Sequence, residues 1–225
     1  MNSAQHPADP APGSHRYFAM LYTPVPLRKQ LSTLLALTDE IGTNPAIDAD
    51  HSVAHARLQW WRQEVDRFAR GAPEHPWLRS LLSGHPQTAA LDLHPLVEGA
   101  ATDLATRTLS RGESEALSGA LFTVAARLLL AAELEPSLQT GVSDLGAIVQ
   151  RLERDPADTT ARSDALEALR AIGDECQPSL APLLVWLALA ASGPRRRGRL
   201  RATLSDNFVA WSAARRAARG RFHLS

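Results

Sequence analysis

Two adjacent tryptophans constrain this chain most. They sit in Arg57-Leu58-Gln59-Trp60-Trp61-Arg62-Gln63-Glu64-Val65, flanked by arginines and followed by one acid. On a helix, Leu58, Trp61, Val65 and Phe68 recur at spacings of three, four and three, so they share one face. Trp60 then points about 100° away from Trp61, towards a neighbour or a cavity. Two indoles side by side do not fit one narrow apolar stripe. The expectation is a central helix that buries more than one side.

The rest of the chain reads as helical too, because period-two alternation is nearly absent and alanine and leucine dominate. His15 to Tyr22 is an aromatic-rich lead-in ending at Pro24 and Pro26, with Thr23 as a candidate cap for a helix from Val25 to Thr43. The tryptophan helix runs from about Ala46 to Arg70 and stops at Gly71 and Pro73. Further helices are expected over Pro76 to Leu82, Pro95 to Thr108 and, after a loop in which Ser114 or Ser110 serves as a cap, Glu115 to Leu134. Pro136 and Gly141 are read as separators before helices over Ser143 to Arg154, Ala161 to Glu175, Pro178 or Pro182 to Ala191, and Leu200 to Phe222. No composition shift divides this array. Residues 1–14 are a disordered lead-in, residues 15–192 an all-α domain, and residues 193–225 a basic segment that docks on that domain.

At 225 residues the chain is long enough for a sizeable core without disulfides or structural metal. Its one cysteine, Cys176, excludes an internal disulfide and reads as a small buried hydrophobe in a reducing, cytoplasmic setting. The longest apolar run, Leu180 to Ala191, falls short of the roughly 20 residues that span a bilayer. Met1 to Gly13 has neither the basic nor the apolar region of a signal peptide. The formal net charge is zero but unevenly spread. From Ser192 to Ser225 there are nine arginines against one acid, Asp206, so this end carries +8 and the remainder −8. The basic end reads first as a solvated or docked tail and next as a peripheral contact with a membrane surface. Nucleic acid is not an expected partner.

Several familiar chemistries are missing their residues. His51 and His55 lie four apart, a spacing that suits zinc, but Ser52 stands where the zincin pattern needs glutamate, so they read as exposed helix histidines. There is no Gly-x-Ser-x-Gly elbow and no phosphate-cradling glycine loop. The informative acids are Asp39 and Glu40, and Asp155 with Asp158. Two helices offering carboxylates into a shared cavity can hold Mg²⁺, which then grips a diphosphate. Such a site needs acids one turn apart. Asp39 has Thr43 at that place, and Asp155 has Thr159, with Pro156 breaking the helix before Asp158. By chemistry alone these read as surface and capping acids.

The chain resembles the squalene/phytoene synthase family. The resemblance is carried by Tyr17-Phe18-Ala19-Met20-Leu21-Tyr22-Thr23-Pro24 with Pro26-Leu27-Arg28, by Leu31 to Ile41, and above all by Arg57 to Arg62, with Gly71 and His75-Pro76 following. Leu145 to Gln150 with Arg154-Asp155 is similar to the stretch holding the family's second aspartate motif, and Trp211 to Phe222 to a basic end. The branch it resembles includes a mitochondrial respiratory complex I assembly factor. The resemblance implies an isoprenoid-synthase-type helical array around a central cavity. Active members condense two prenyl diphosphates head to head, using Mg²⁺ held by two aspartate-rich motifs.

Carried over, Asp39 and Glu40 match the opening acids of the first motif, with Asp155 from the second, as a degenerate Mg²⁺ site. Gln150 and Arg154 match binding positions, with Trp60 as a cavity wall and Arg62 beside it. The departures are Thr43 for the closing aspartate, Ala36 for the family's arginine, and a shortened second motif in which Glu153 is nearest to the expected asparagine. Together they remove most of the cation and anion binding that the reaction needs. The expected function is a non-catalytic binding or assembly protein with room for a prenyl or lipid ligand and for a protein partner, requiring no cofactor. The alternative is an active head-to-head prenyltransferase with a reduced Mg²⁺ site.

Overall fold

The computed structural model describes residues 10–43, 51–109, 114–172, 178–192 and 199–219. Among them are ten α-helices and no strand. They are α1 (His15–Tyr22), α2 (Arg28–Gly42), α3 (His51–Ala69), α4 (Pro76–Gly84), α5 (His94–Leu109), α6 (Ala116–Leu130), α7 (Pro136–Arg154), α8 (Thr159–Ile172), α9 (Ala181–Ser192) and α10 (Arg199–Ala217). Cys176, the linker from Gly193 to Gly198 and most of the expected N-terminal lead-in lie outside the described residues.

Two helices form the interior because their sequences are apolar all round. Every residue of α9 from Ala181 to Ala190 is buried, as are nine residues of α6. Helix α6 packs between α5 and α7, and α7 carries α8 and α9 on its other sides. Helices α1 and α10 close over α9, while α2 bridges α4, α5 and α6. The α6–α7 approach is close enough that a methyl group on Gly146 would collide with the Ser118 carbonyl, so this position requires glycine.

Helix α3 is less central than its tandem tryptophans suggest. It buries one stripe, Ala54, Leu58, Trp61, Val65 and Phe68, together with Glu64. Trp60 stays 40% exposed, its ring edge-on to Trp61 at 4.9 Å and to His75 at 6.0 Å. A neighbouring indole and an imidazole give Trp60 its apolar contact, so no second helix is needed to cover it. Gly71 ends α3 at φ +77°, with its N–H donating to Phe68 O and that of Ala72 to Arg67 O.

Three local expectations change. His15 to Tyr22 is itself a helix, capped by Ser14, whose hydroxyl accepts from Tyr17 N–H at 3.1 Å. Thr23 does not cap α2; it ends α1 and turns its hydroxyl back to Ala19 O at 3.1 Å. Pro136 starts α7 instead of separating two helices, since proline at the first helical position loses no hydrogen bond. Gly141 then sits buried within a helix that runs unbroken to Arg154.

Candidate functional site

A cavity of about 610 Å³ opens among α2, α5, α6 and α7, with α1 contributing Arg16. Its rim is polar and exposed at Asp39, Thr43 and Arg107, and its depth is buried and apolar at Ile41, Leu58, Leu104 and Leu121. This grading follows from the helices themselves. The space lies near helix ends, where polar residues such as Asp39, Thr43 and Arg107 adjoin the buried apolar ones, so it is wet on one side and dry on the other.

Three acids and three arginines line it: Asp39, Asp103 and Glu115, with Arg16, Arg107 and Arg154. Arg16 donates to Asp39 Oδ2 at 2.6 Å, and Arg154 to Glu115 Oε1 at 2.8 Å. Asp103 reaches from α5 to the start of α6, where Oδ1 accepts from Ala116 N–H at 2.9 Å and Oδ2 from Leu117 N–H at 3.2 Å. That carboxylate satisfies two N–H groups that a helix start leaves without partners, which is the capping work expected of Ser110 or Ser114. Ser114 adds only a 3.4 Å contact to Ala116 N–H. Gln150 accepts from the Ser118 hydroxyl at 3.1 Å. Arg107 is exposed, and among the described residues no hydrogen bond or ion pair holds it.

Of the residues singled out by sequence, Asp39, Gln150 and Arg154 meet in this cavity. Glu40 faces away from it: its carboxylate contacts His75 Nε2 at 3.2 Å, and its backbone carbonyl accepts from Arg57. Asp155 is exposed at the α7–α8 turn, accepting from Ala157 N–H at 2.9 Å, and Asp158 accepts from Ala161 N–H at 2.8 Å and from Arg151 at 3.2 Å. Glu153 lies beyond the cavity, receiving Trp186 Nε1–H at 2.8 Å and His15 at 3.1 Å. Burial alone pushes the Glu153 carboxyl up, but the hydrogen bonds from His15 and Trp186 leave it below the usual range. Trp60 and Arg62 are not among the lining residues; Arg62 pairs with Glu98 at 2.8 Å on the surface.

Sequence reasoning missed Arg16, Asp103, Arg107 and Glu115. Arg16 adjoins the quoted Tyr17-Phe18 stretch, and Asp103 and Arg107 are one turn apart on α5, yet only the tertiary fold turns them into one space.

The donor set does not suit Mg²⁺. That ion asks for several free oxygen ligands in near-octahedral geometry. Here each lining carboxylate already serves an arginine or a helix N-terminus. Among the described residues no group of three or more His, Cys, Asp or Glu is placed to hold a metal.

The all-α array with its cavity is consistent with an isoprenoid-synthase-type fold. The chain belongs to the squalene/phytoene synthase family, whose model matches residues 10–132, more than half its length. Most of the cavity lining falls within that match, while Gln150 and Arg154 lie beyond it. No curated protein and no solved structure matches the chain.

Proposed function

We propose that this protein is a non-catalytic member of its family, whose cavity holds an amphiphile with an anionic head, a prenyl diphosphate or a lipid, without converting it. The observation that carries the reading is the internal neutralisation of the cavity. Asp39 is held by Arg16, Glu115 by Arg154, and Asp103 by the first N–H groups of α6. Head-to-head condensation needs carboxylates that gather Mg²⁺ around a departing diphosphate; a set already paired with its own arginines and backbone N–H groups is not poised for that role.

Binding is a lesser demand. The apolar depth suits an isoprenoid or acyl chain, and a volume of about 610 Å³ is of the size that small-molecule sites occupy. Arg107 stands exposed at the rim, and Arg16 and Arg154 can exchange a carboxylate for a phosphate. An assembly role is the same reading with a protein partner added.

The test incubates the pure protein with farnesyl or geranylgeranyl diphosphate, in Mg²⁺ and separately in EDTA. Saturable binding in both conditions with no condensed product is the expected result. Product that forms in Mg²⁺ and disappears in Asp39→Ala establishes the transferase instead.

A further inference from the structure

Helix α10 turns Phe208 and Trp211 outward. Its inner stripe is alanine: Ala210, Ala213 and Ala217 are fully buried, and the first two pack with Phe18, Val185, Ala188 and Leu189 of α1 and α9. The opposite side carries Phe208, 66% exposed, and Trp211, 47% exposed, with their ring centroids 6.0 Å apart. Arg215 continues that stripe one turn on, its guanidinium 5.1 Å from the Trp211 ring centre, and Arg219 is exposed one turn further. Asp206, the one acid among the last 34 residues, lies round the helix from both rings. Among the described residues the other exposed large apolar side chains are Leu21, Val25, Val53, Leu166 and Trp60, of which Trp60 packs on other rings.

We infer that this outer face of α10 docks the protein on an anionic lipid surface. Phe and Trp on a helix lying in the plane of a bilayer insert at the boundary between headgroups and chains, while arginines beside them meet lipid phosphates. The charge division favours this occupant and its orientation. The end from Ser192 carries +8 and the preceding residues −8, so an anionic membrane attracts α10 and repels the body behind it.

The same charges disfavour a second copy of the chain, since apposing two α10 faces brings like charges together. The rings, not the charges, argue against a nucleic acid. Base stacking needs open aromatic faces, and Arg215 already covers one face of Trp211.

Flotation of the full chain with vesicles tests the proposal. Phosphatidylcholine vesicles containing about 30% phosphatidylserine should bind it at least about tenfold better than phosphatidylcholine alone, with the preference shrinking as salt rises. Phe208→Ser with Trp211→Ser should lower that binding about tenfold or more while circular dichroism stays unchanged, because neither ring packs into the interior. Arg215→Glu with Arg219→Glu should lower the preference for anionic vesicles several-fold, since it cuts the charge of this end from +8 to +4. Trp211→Phe should keep the binding but remove most of the blue shift in tryptophan fluorescence, assigning it to Trp211 among the five tryptophans. Equal binding to both vesicle types, no binding, or binding untouched by the double serine variant overturns the inference. So does retention on an RNA oligonucleotide or an acidic peptide in preference to anionic vesicles.

Discussion

Two carboxylates in this molecule make opposite commitments. Glu64, in the tryptophan helix, is fully buried. Its Oε1 accepts from both Glu74 and His75 N–H at 2.6 Å, and its Oε2 from Arg67 at 2.7 Å. Asp39, at the cavity rim, has a side chain 57% exposed and holds Arg16 at 2.6 Å. The first ties the start of α4 to the middle of α3 and has no capacity left for a ligand. The second is in contact with water and can exchange its partner. The stretch that carries most of the family resemblance therefore encloses a structural joint, while the proposed ligand site rests on a more open pair.

The largest expected effect breaks the joint. Glu64→Ala should cost about 3–5 kcal/mol in urea unfolding, because it leaves two backbone N–H groups and a guanidinium without their acceptor. Glu64→Gln, which keeps one acceptor oxygen, should cost about 1–3 kcal/mol. A loss below about 1 kcal/mol for the alanine variant would mean that water or the rim replaces Glu64, and the contrast with Asp39 would collapse. The pH dependence has a definite sign. Burial pushes this carboxyl up, but the hydrogen bonds from His75 N–H, Arg67 and Glu74 N–H outweigh it and hold it below 4.5. As pH falls the unfolded chain takes the proton first. The stabilisation is thus present above pH 4.5 and lost as pH drops through the lowered value. Glu64→Gln should flatten that acid limb.

The tandem tryptophans give the next largest contrast. Trp61 is 1% exposed and Trp60 40%. Trp61→Ala should cost about 3–5 kcal/mol through the cavity it leaves. Trp60→Ala should cost about 1 kcal/mol or less, since water already reaches the ring. Similar losses for the two would restore α3 as a helix buried on two sides.

That contrast also marks how far the sequence reaches. Spacing of Leu58, Trp61, Val65 and Phe68 identifies the buried stripe, because helical geometry alone puts them on one face. It gives the direction of Trp60 but not what lies there, and His75, fifteen residues on, is what meets it. Gly71 was legible as a helix end, since a positive φ favours glycine. Asp103 was not legible as a cap: it lies thirteen positions before Ala116, and only the packing of α5 on α6 joins them. Asp39 lies within a stretch that resembles the family and Arg16 only adjoins one, and their pairing depends on how α1 lies against α2. The helices were therefore readable from local periodicity and their array from the family resemblance, but the charge balance of the site was not, because it comes from contacts between helices.

Asp103 tests whether the division between joint and rim holds within the cavity itself. It lines the same space as Asp39 but is bonded to backbone, as Glu64 is. Asp103→Ala should lower the stability by about 1–2 kcal/mol, the range for losing a helix cap, measured by urea unfolding. Unchanged stability with weakened ligand binding would reassign Asp103 to the ligand.

The smallest expected effect on stability is the most informative about function. Asp39→Asn removes a charge from an exposed pair, so stability should change by less than about 1 kcal/mol. Binding should respond in the other direction. With the carboxylate neutralised, Arg16 is released towards an incoming anion, and farnesyl diphosphate in EDTA should bind about two- to tenfold tighter, read by calorimetry. A transferase that needs Asp39 for Mg²⁺ makes the contrary prediction: the variant should lose metal-dependent affinity and product together, with no gain in EDTA. The same substitution therefore separates a carboxylate that restrains an arginine from one that recruits a metal.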